Sequence, residues 1–201
     1  MPITTPLSAA SDLVTFTILI NGQPIDQSYQ VLSLVSVQTV NKNSYAKIEI
    51  LDGSASDQTF SISESAYFAP GNTINISAGY QSTETSIFSG IVAKQSLQIT
   101  PVHGSLLIVE CYGDAIEPTE STEPQLLIAY GDSIQTLDIV LDGSNTPAAI
   151  TGKVSFLGNA LKAGATIQLA GLGDRFNGNR YISSVTQTIQ NGDWITGAEF
   201  V

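Results

Sequence analysis

Histidine, cysteine, tryptophan and methionine occur once each in the 201 residues, and basic side chains only seven times. Each scarcity excludes something. The single Cys111 has no partner for an internal disulfide and cannot supply a multi-thiolate metal site, so the fold must stand on packing, and a reducing compartment is its natural setting. Seven basic residues against eighteen acidic ones leave a net charge of −11, the wrong sign for gripping nucleic acid or an anionic membrane surface. No nucleic-acid binding and no membrane insertion are therefore expected. The first apolar run, Leu13 to Ile20, is eight residues long, broken by Thr15 and Thr17, and preceded by no basic segment. It is too short to cross a bilayer and reads as a strand. Assembly in the cytoplasm follows as the expectation, with an extracellular or virion-like location once an assembled particle is released.

What is abundant is β-forming. Hydrophobic residues make up 42% of the chain, enough for a sizeable core, and Ser, Thr, Asn and Gln fill the polar positions, a mix suited to pleated surfaces. Residues 1–11 are a Pro-, Thr- and Ser-rich lead-in expected to be flexible. Strands are predicted at 13–20, closed by the turn-forming Asn21-Gly22, then at 31–40, 46–51, 73–80, 87–92, 96–99 and 106–112. Ser61 to Phe68 carries a weak helical pattern and predicts at most a short helical turn. Residues 115–125, with two prolines, three glutamates and little that is apolar, read as a linker. Strands at 126–130, 134–141, 152–157, 165–170, 180–189 and 194–200 follow. The expected fold class is all-β with little helix: a first barrel-like domain at 12–114 and a second at 126–201. The two halves read as copies, because Gly71 to Gly79 aligns with Gly164 to Gly171 at an offset of 93, and Leu51-Asp52-Gly53-Ser54 recurs as Leu141-Asp142-Gly143-Ser144.

Catalytic chemistry finds little footing. His103, the only histidine, sits in a turn-like Pro-Val-His-Gly with no nearby acid, so a nucleophile–histidine–acid arrangement is hard to build. Asp52 to Asp57 has alternating oxygen-bearing side chains like a calcium loop. It lacks the glycine at the sixth position, held by Asp57, and the bidentate Glu at the twelfth, held by Ser63. No catalytic residue, cofactor or metal is expected. Gly171 to Gly178 packs three glycines, Asp174, Arg175, Phe176 and Asn177 into one connection without the pattern of a phosphate cradle. Asp174, Arg175, Phe176 and Asn177 become the candidate subunit-contact loop, since an Arg and a Phe at a loop tip suit an interface. Trp194, beside the Asn191-Gly192-Asp193 turn, reads as an edge-strand packing residue.

Several segments together resemble the hub part of VgrG-type proteins and related baseplate hub proteins of contractile injection systems. In the first half these are Ser11 to Phe16, Ala46 to Gly53, Phe68 to Asn72, Ile87 to Val92 and Ile108 to Cys111. In the second they are Ile128 to Ser133, Gly152 to Phe156, Leu172 to Gly178 and Asn191 to Trp194. The resemblance spans about residues 11–200. It implies two duplicated tube-like barrels per chain, three chains placing six barrels in a ring, and a structural role joining a tail tube to a puncturing spike. The partners it implies are two further copies of the chain (a homotrimer), the tail tube protein, a spike protein or domain, and other baseplate proteins. Family members are longer, with a domain between the barrels and a spike after the second, so the expectation here is a shortened hub without spike. The competing reading from composition is a small-ligand or carbohydrate-binding β module, and an enzyme is the weakest.

Overall fold

The computed structural model describes residues 13–81, 83–101, 104–119, 122–144 and 148–201. The lead-in at 1–11 and His103 lie outside these residues. Thirteen strands follow one another: β1 (Val14–Ile20), β2 (Gln23–Pro24), β3 (Val31–Thr39), β4 (Asn43–Leu51), β5 (Thr73–Tyr80), β6 (Thr83–Thr100), β7 (Gly104–Ala115), β8 (Pro124–Ala129), β9 (Thr136–Asp142), β10 (Ala149–Leu157), β11 (Thr166–Ala170), β12 (Gly178–Gln190) and β13 (Asp193–Phe200). The described residues hold no helix, so the chain is all-β. The cause is visible in the strands themselves. In β4 every second side chain, from Ser44 through Ala46, Ile48 and Ile50, is buried, the period of two that only an extended chain can serve. Asn21-Gly22 and Asn191-Gly192 both take positive φ at the two central positions, as tight hairpin turns require.

The predicted pair of strands at 87–92 and 96–99 is one 18-residue strand, β6. It stays paired with β7 through a one-residue register shift, the bulge between Val92 and Lys94, and the polar residues that suggested a break lie on a partly exposed flank. The helical turn expected at 61–68 is reduced to single turns, Glu64 N–H to Phe60 O at 2.9 Å and Ser65 N–H to Ile62 O at 3.1 Å. The carbonyls of Ala66 and Tyr67 accept instead from Asn72 Nδ2, at 2.6 and 2.8 Å. That capture, with Pro70 behind it, stops any helix from propagating. The segment predicted as a linker overlaps both neighbours: β7 runs to Ala115 and β8 begins at Pro124.

Strand order repeats. The first half runs β1-β5-β6-β7-β4-β3, and the second runs β8-β11-β12-β13-β10-β9, with every strand in the same relative place. The correspondence holds residue by residue. Thr73 pairs Ile91 as Thr166 pairs Tyr181, and the bulge at Val92/Lys94 recurs at Ile182/Ser184. This sustains the Gly71–Gly164 alignment. It does not sustain the Leu-Asp-Gly-Ser match, because Leu51 ends β4 whereas Leu141 lies in β9, the counterpart of β3. One difference breaks the copy: β1 runs antiparallel to β5, and β8 parallel to β11.

Each half curls around its own apolar cluster. All six strands β1, β3, β4, β5, β6 and β7 contribute to the first, with Ile18, Leu34, Ile48, Ile76, Phe88 and Val109. The second holds Ile128, Val154, Phe156, Ile167, Ile182 and Phe200, with Leu137 and Ile139 of β9 partly buried against it. The sheet passes from one half to the other through a seven-residue antiparallel ladder between β3 and β12, from Thr39–Ser184 to Ser33–Gln190. Across this ladder the end of the β12–β13 hairpin delivers Ile189 and Trp194 into the first cluster. Trp194 is therefore no edge residue. β13 lies between β12 and β10, and the indole stacks on Tyr80 at 5.4 Å.

Candidate assembly surface

The proposed contact loop Asp174–Asn177 connects β11 to β12 and is built from its own backbone. Phe176 N–H and Asn177 N–H both donate to Gly173 O, at 3.1 and 3.0 Å, and Leu172 N–H donates to Asn177 Oδ1 at 2.9 Å. Arg180 staples the loop to the strand, its Nη2 reaching Phe176 O at 2.9 Å and Asn177 O at 3.3 Å. Partial burial pulls this guanidinium below its ordinary range. Asp174, Arg175 and Asn177 are exposed and Phe176 is half-buried, so the loop presents a fixed tip carrying both charge signs.

A second surface escaped the sequence reading. Among the described residues β9 ends the strand path, and no strand pairs its flank away from β10. β6 has a similar flank: Thr83 to Ile91 is covered by β5, while among the described residues the only strand paired with Lys94 to Ile99 is β7. Leu97 and Ile99 stand exposed there, at 46% and 74%, and Val140 and Leu141 are exposed on β9. The alternation of apolar residues at 97 and 99 is the signal in the sequence, and it is the same as that of an ordinary strand. Beside Ile99 lies an open groove of about 840 Å³, lined by Tyr29, Asp52, Phe60, Ile62 and Ser105 among others.

Asp52, considered for calcium, is buried and turned into the fold, where its carboxylate accepts Ile62 N–H at 3.0 Å and Ser63 N–H at 2.8 Å. Ser54 Oγ donates to Asp57 Oδ2 at 2.6 Å, which closes a polar turn. Cys111 is buried in the first cluster, and desolvation pushes its thiol up to about 12, so at neutral pH it is a small apolar group and no nucleophile. Among the described residues no group of His, Cys, Asp or Glu is arranged to hold a metal ion. The ion pairs Lys47–Glu49, Lys94–Glu110 and Lys153–Glu199 are partly or largely exposed and add little to stability.

A buried polar network centres on Gln187. Gln187 donates from Nε2 to Asn159 O at 2.8 Å and Leu161 O at 3.3 Å. Its Oε1 accepts from Trp194 Nε1 and Thr196 Oγ1, both at 2.8 Å. Nothing in the polar–apolar pattern marked Gln187, because a solvent-facing glutamine in a strand reads the same way.

The model of a family described as the Alg8 N-terminal domain matches residues 10–123 and 144–191. No curated protein sequence matches the chain. Among solved structures, the tail protein from Neisseria meningitidis MC58 is similar with a TM-score of 0.63 at 7% identity, covering 93% of this chain and 96% of that one. The 43 kDa tail protein of prophage MuSo2 from Shewanella oneidensis gives 0.62 at 6% identity, covering 95% and 97%. An Escherichia coli component of the type VI secretion system, described as structurally similar to the T4 bacteriophage tail proteins gp27 and gp5, gives 0.53 at 9% identity, covering 92% and 76%. At these identities the likeness is one of fold, and the fold is that of phage tail proteins.

Proposed function

This chain belongs to the Alg8 N-terminal domain family, and we propose that it is a structural hub component of a contractile, phage-tail-like injection apparatus. In this reading three chains form a ring with a central channel that joins a tail tube to a spike. The observation that carries it is the repeat: one six-strand unit occurs twice in a chain whose fold, over nearly its whole length, is that of tail proteins. Two similar units in one chain present similar but non-identical flanks, so a head-to-tail contact can recur around a closed ring, and three chains supply six units. Such a ring would match a sixfold tube on one face while offering threefold symmetry to a spike on the other.

The work done in this reading is mechanical and needs no catalytic residue. A buried, protonated cysteine and a carboxylate committed to two backbone amides are the groups of a scaffold. Tube, spike and other baseplate proteins would be the partners, with assembly in the cytoplasm. Light scattering on the purified chain should report about three times the 21.2 kDa chain mass, and electron-microscopy class averages should show a ring with sixfold appearance and an open centre. A monomer persisting at high concentration, or a dimer without a channel, would refute the hub reading.

A further inference from the structure

The ladder that joins the two halves within the chain specifies, by the internal repeat, the ladder that joins one chain to the next. Strand equivalence is fixed by pairing. Ser36 and Ile139 hold the same place, since Ser36 pairs Ala46 as Ile139 pairs Gly152, and Ala46 and Gly152 in turn pair Cys111 and Phe200. Ser33–Thr39 of β3 thus corresponds to Thr136–Asp142, which is the whole of β9. On the other side, Val92 corresponds to Ile182 and Thr100 to Gln190, so Lys94–Thr100 of β6 corresponds to Ser184–Gln190 of β12. β3 and β12 pair over those residues. Among the described residues their counterparts, β9 and the end of β6, do not pair with each other within one chain.

We propose that β9 of one chain pairs antiparallel with Lys94–Thr100 of β6 of a second copy, in the register Leu137–Ile99, Ile139–Leu97 and Leu141–Gln95. This rests on the hub reading and names its interface. Burial supports it. In β12, Gln187 and Ile189 are 2% and 5% exposed beneath β3, whereas their counterparts Leu97 and Ile99 are 46% and 74% exposed. Among the described residues no strand covers Leu97 and Ile99 as β3 covers Gln187 and Ile189. The register supplies apolar partners, because Leu137 and Ile139 sit partly buried on the inner face of β9 and meet Ile99 and Leu97, as Leu34 meets Ile189 inside the chain. It also brings Asp142 opposite Lys94, unlike charges at the ladder end. Cross-strand pairs of these kinds are what stabilise a sheet, and pairing removes two exposed edges that would otherwise template aggregation. The hairpin end bearing Ile99 would then enter the next chain's second cluster, as Ile189 and Trp194 enter the first.

The test uses the full chain. Oxidation of the double variant Ile139→Cys/Leu97→Cys should link chains covalently, as read by non-reducing electrophoresis and intact mass. The same-face but shifted pair Ile139→Cys/Gln95→Cys should give at least about tenfold less product. Independently, Leu97→Lys/Ile99→Lys, at side chains exposed in the single chain, should keep the β spectrum and melting temperature but lower the solution mass to one chain. If the unmodified protein assembles yet the shifted pair links equally well, or the double-lysine variant stays assembled, the strand pairing is wrong and the hub reading stands. If the unmodified protein is a monomer at high concentration, both fall.

Discussion

Truncating Gln187 should be among the most damaging single changes in this protein. Its side chain is buried with all four hydrogen-bonding positions used, two donated and two accepted. After Gln187→Leu, the Thr196 hydroxyl can still turn to Asn159 O, 3.0 Å away, so both of those groups keep a partner. Trp194 Nε1 and Leu161 O do not. Two stranded buried groups at about 1–3 kcal/mol each give a loss of roughly 4 kcal/mol, which for a chain of this size lowers the melting temperature by roughly 10 °C. Urea titrations at fixed protein concentration measure it, and a double-mutant cycle isolates its cause. Trp194→Phe removes the stranded N–H, so Gln187→Leu should cost about 1–2 kcal/mol less in the Trp194→Phe background than in the native one. A Gln187→Leu variant within about 0.5 kcal/mol of wild type, or strictly additive single variants, would refute the reasoning.

Two further predictions rest on buried groups. Cys111 should resist thiol reagents in the folded protein and react only as fast as the chain unfolds. Since burial raises its folded value from 9.0 to about 12, its contribution to stability is complete below pH 9 and is lost as pH rises from 9 towards 12. Cys111→Ala should therefore melt with a shallower alkaline dependence than wild type just above pH 9, and a parallel dependence would count against burial. Asp52→Ala should release the 52–68 segment by leaving the Ile62 and Ser63 amides without their acceptor, at a cost of about 2–4 kcal/mol, seen as new protease cleavage between residues 53 and 68. Unchanged cleavage would mean that buried Ile62 and Phe68, with the Gln95 side chain donating to Ser63 O at 2.7 Å, hold the segment without it.

How much of this was legible depends on what each residue must satisfy. Strands β1, β3, β5, β11 and β13 were placed to within a residue at nearly every end because alternation and Asn-Gly or Pro-Gly turns mark them locally. β6 was split, because its polar stretch at 94–96 sits on a partly exposed flank where the single chain demands no apolar residue. Trp194 was misplaced for a related reason: its neighbour in space is Tyr80, 114 positions earlier in the chain, and no local pattern carries that distance. The duplication was visible in β5 and β11, where apolar residues at matching positions, Ile74 and Ile76 against Ile167 and Leu169, are buried in their own core. The Leu-Asp-Gly-Ser coincidence showed the limit, since a turn chemistry recurs wherever a strand ends. Of the candidate assembly surface, the loop at 174–177 stood out by composition, while Leu97 and Ile99 became informative only beside Ile189 and Gln187, which are covered where they are bare.

The seam between the halves also constrains how the chain can be made. Thr39 and Ser184 bond across it at 3.0 Å although 145 positions separate them. On a ribosome adding roughly 5–20 residues each second, the outer edge of β3 waits about 7–30 seconds for its partner strand to emerge. During that interval the first half is a nearly complete sheet with an open, apolar-flanked margin, and a neighbouring nascent chain's β3 could be captured in place of the proper β12. Acidic excess is then useful in a further way: like-charged nascent chains repel one another during the wait. The folding problem is timing as much as affinity, and slowing translation after residue 142 should raise the yield of insoluble product more than slowing it before residue 31.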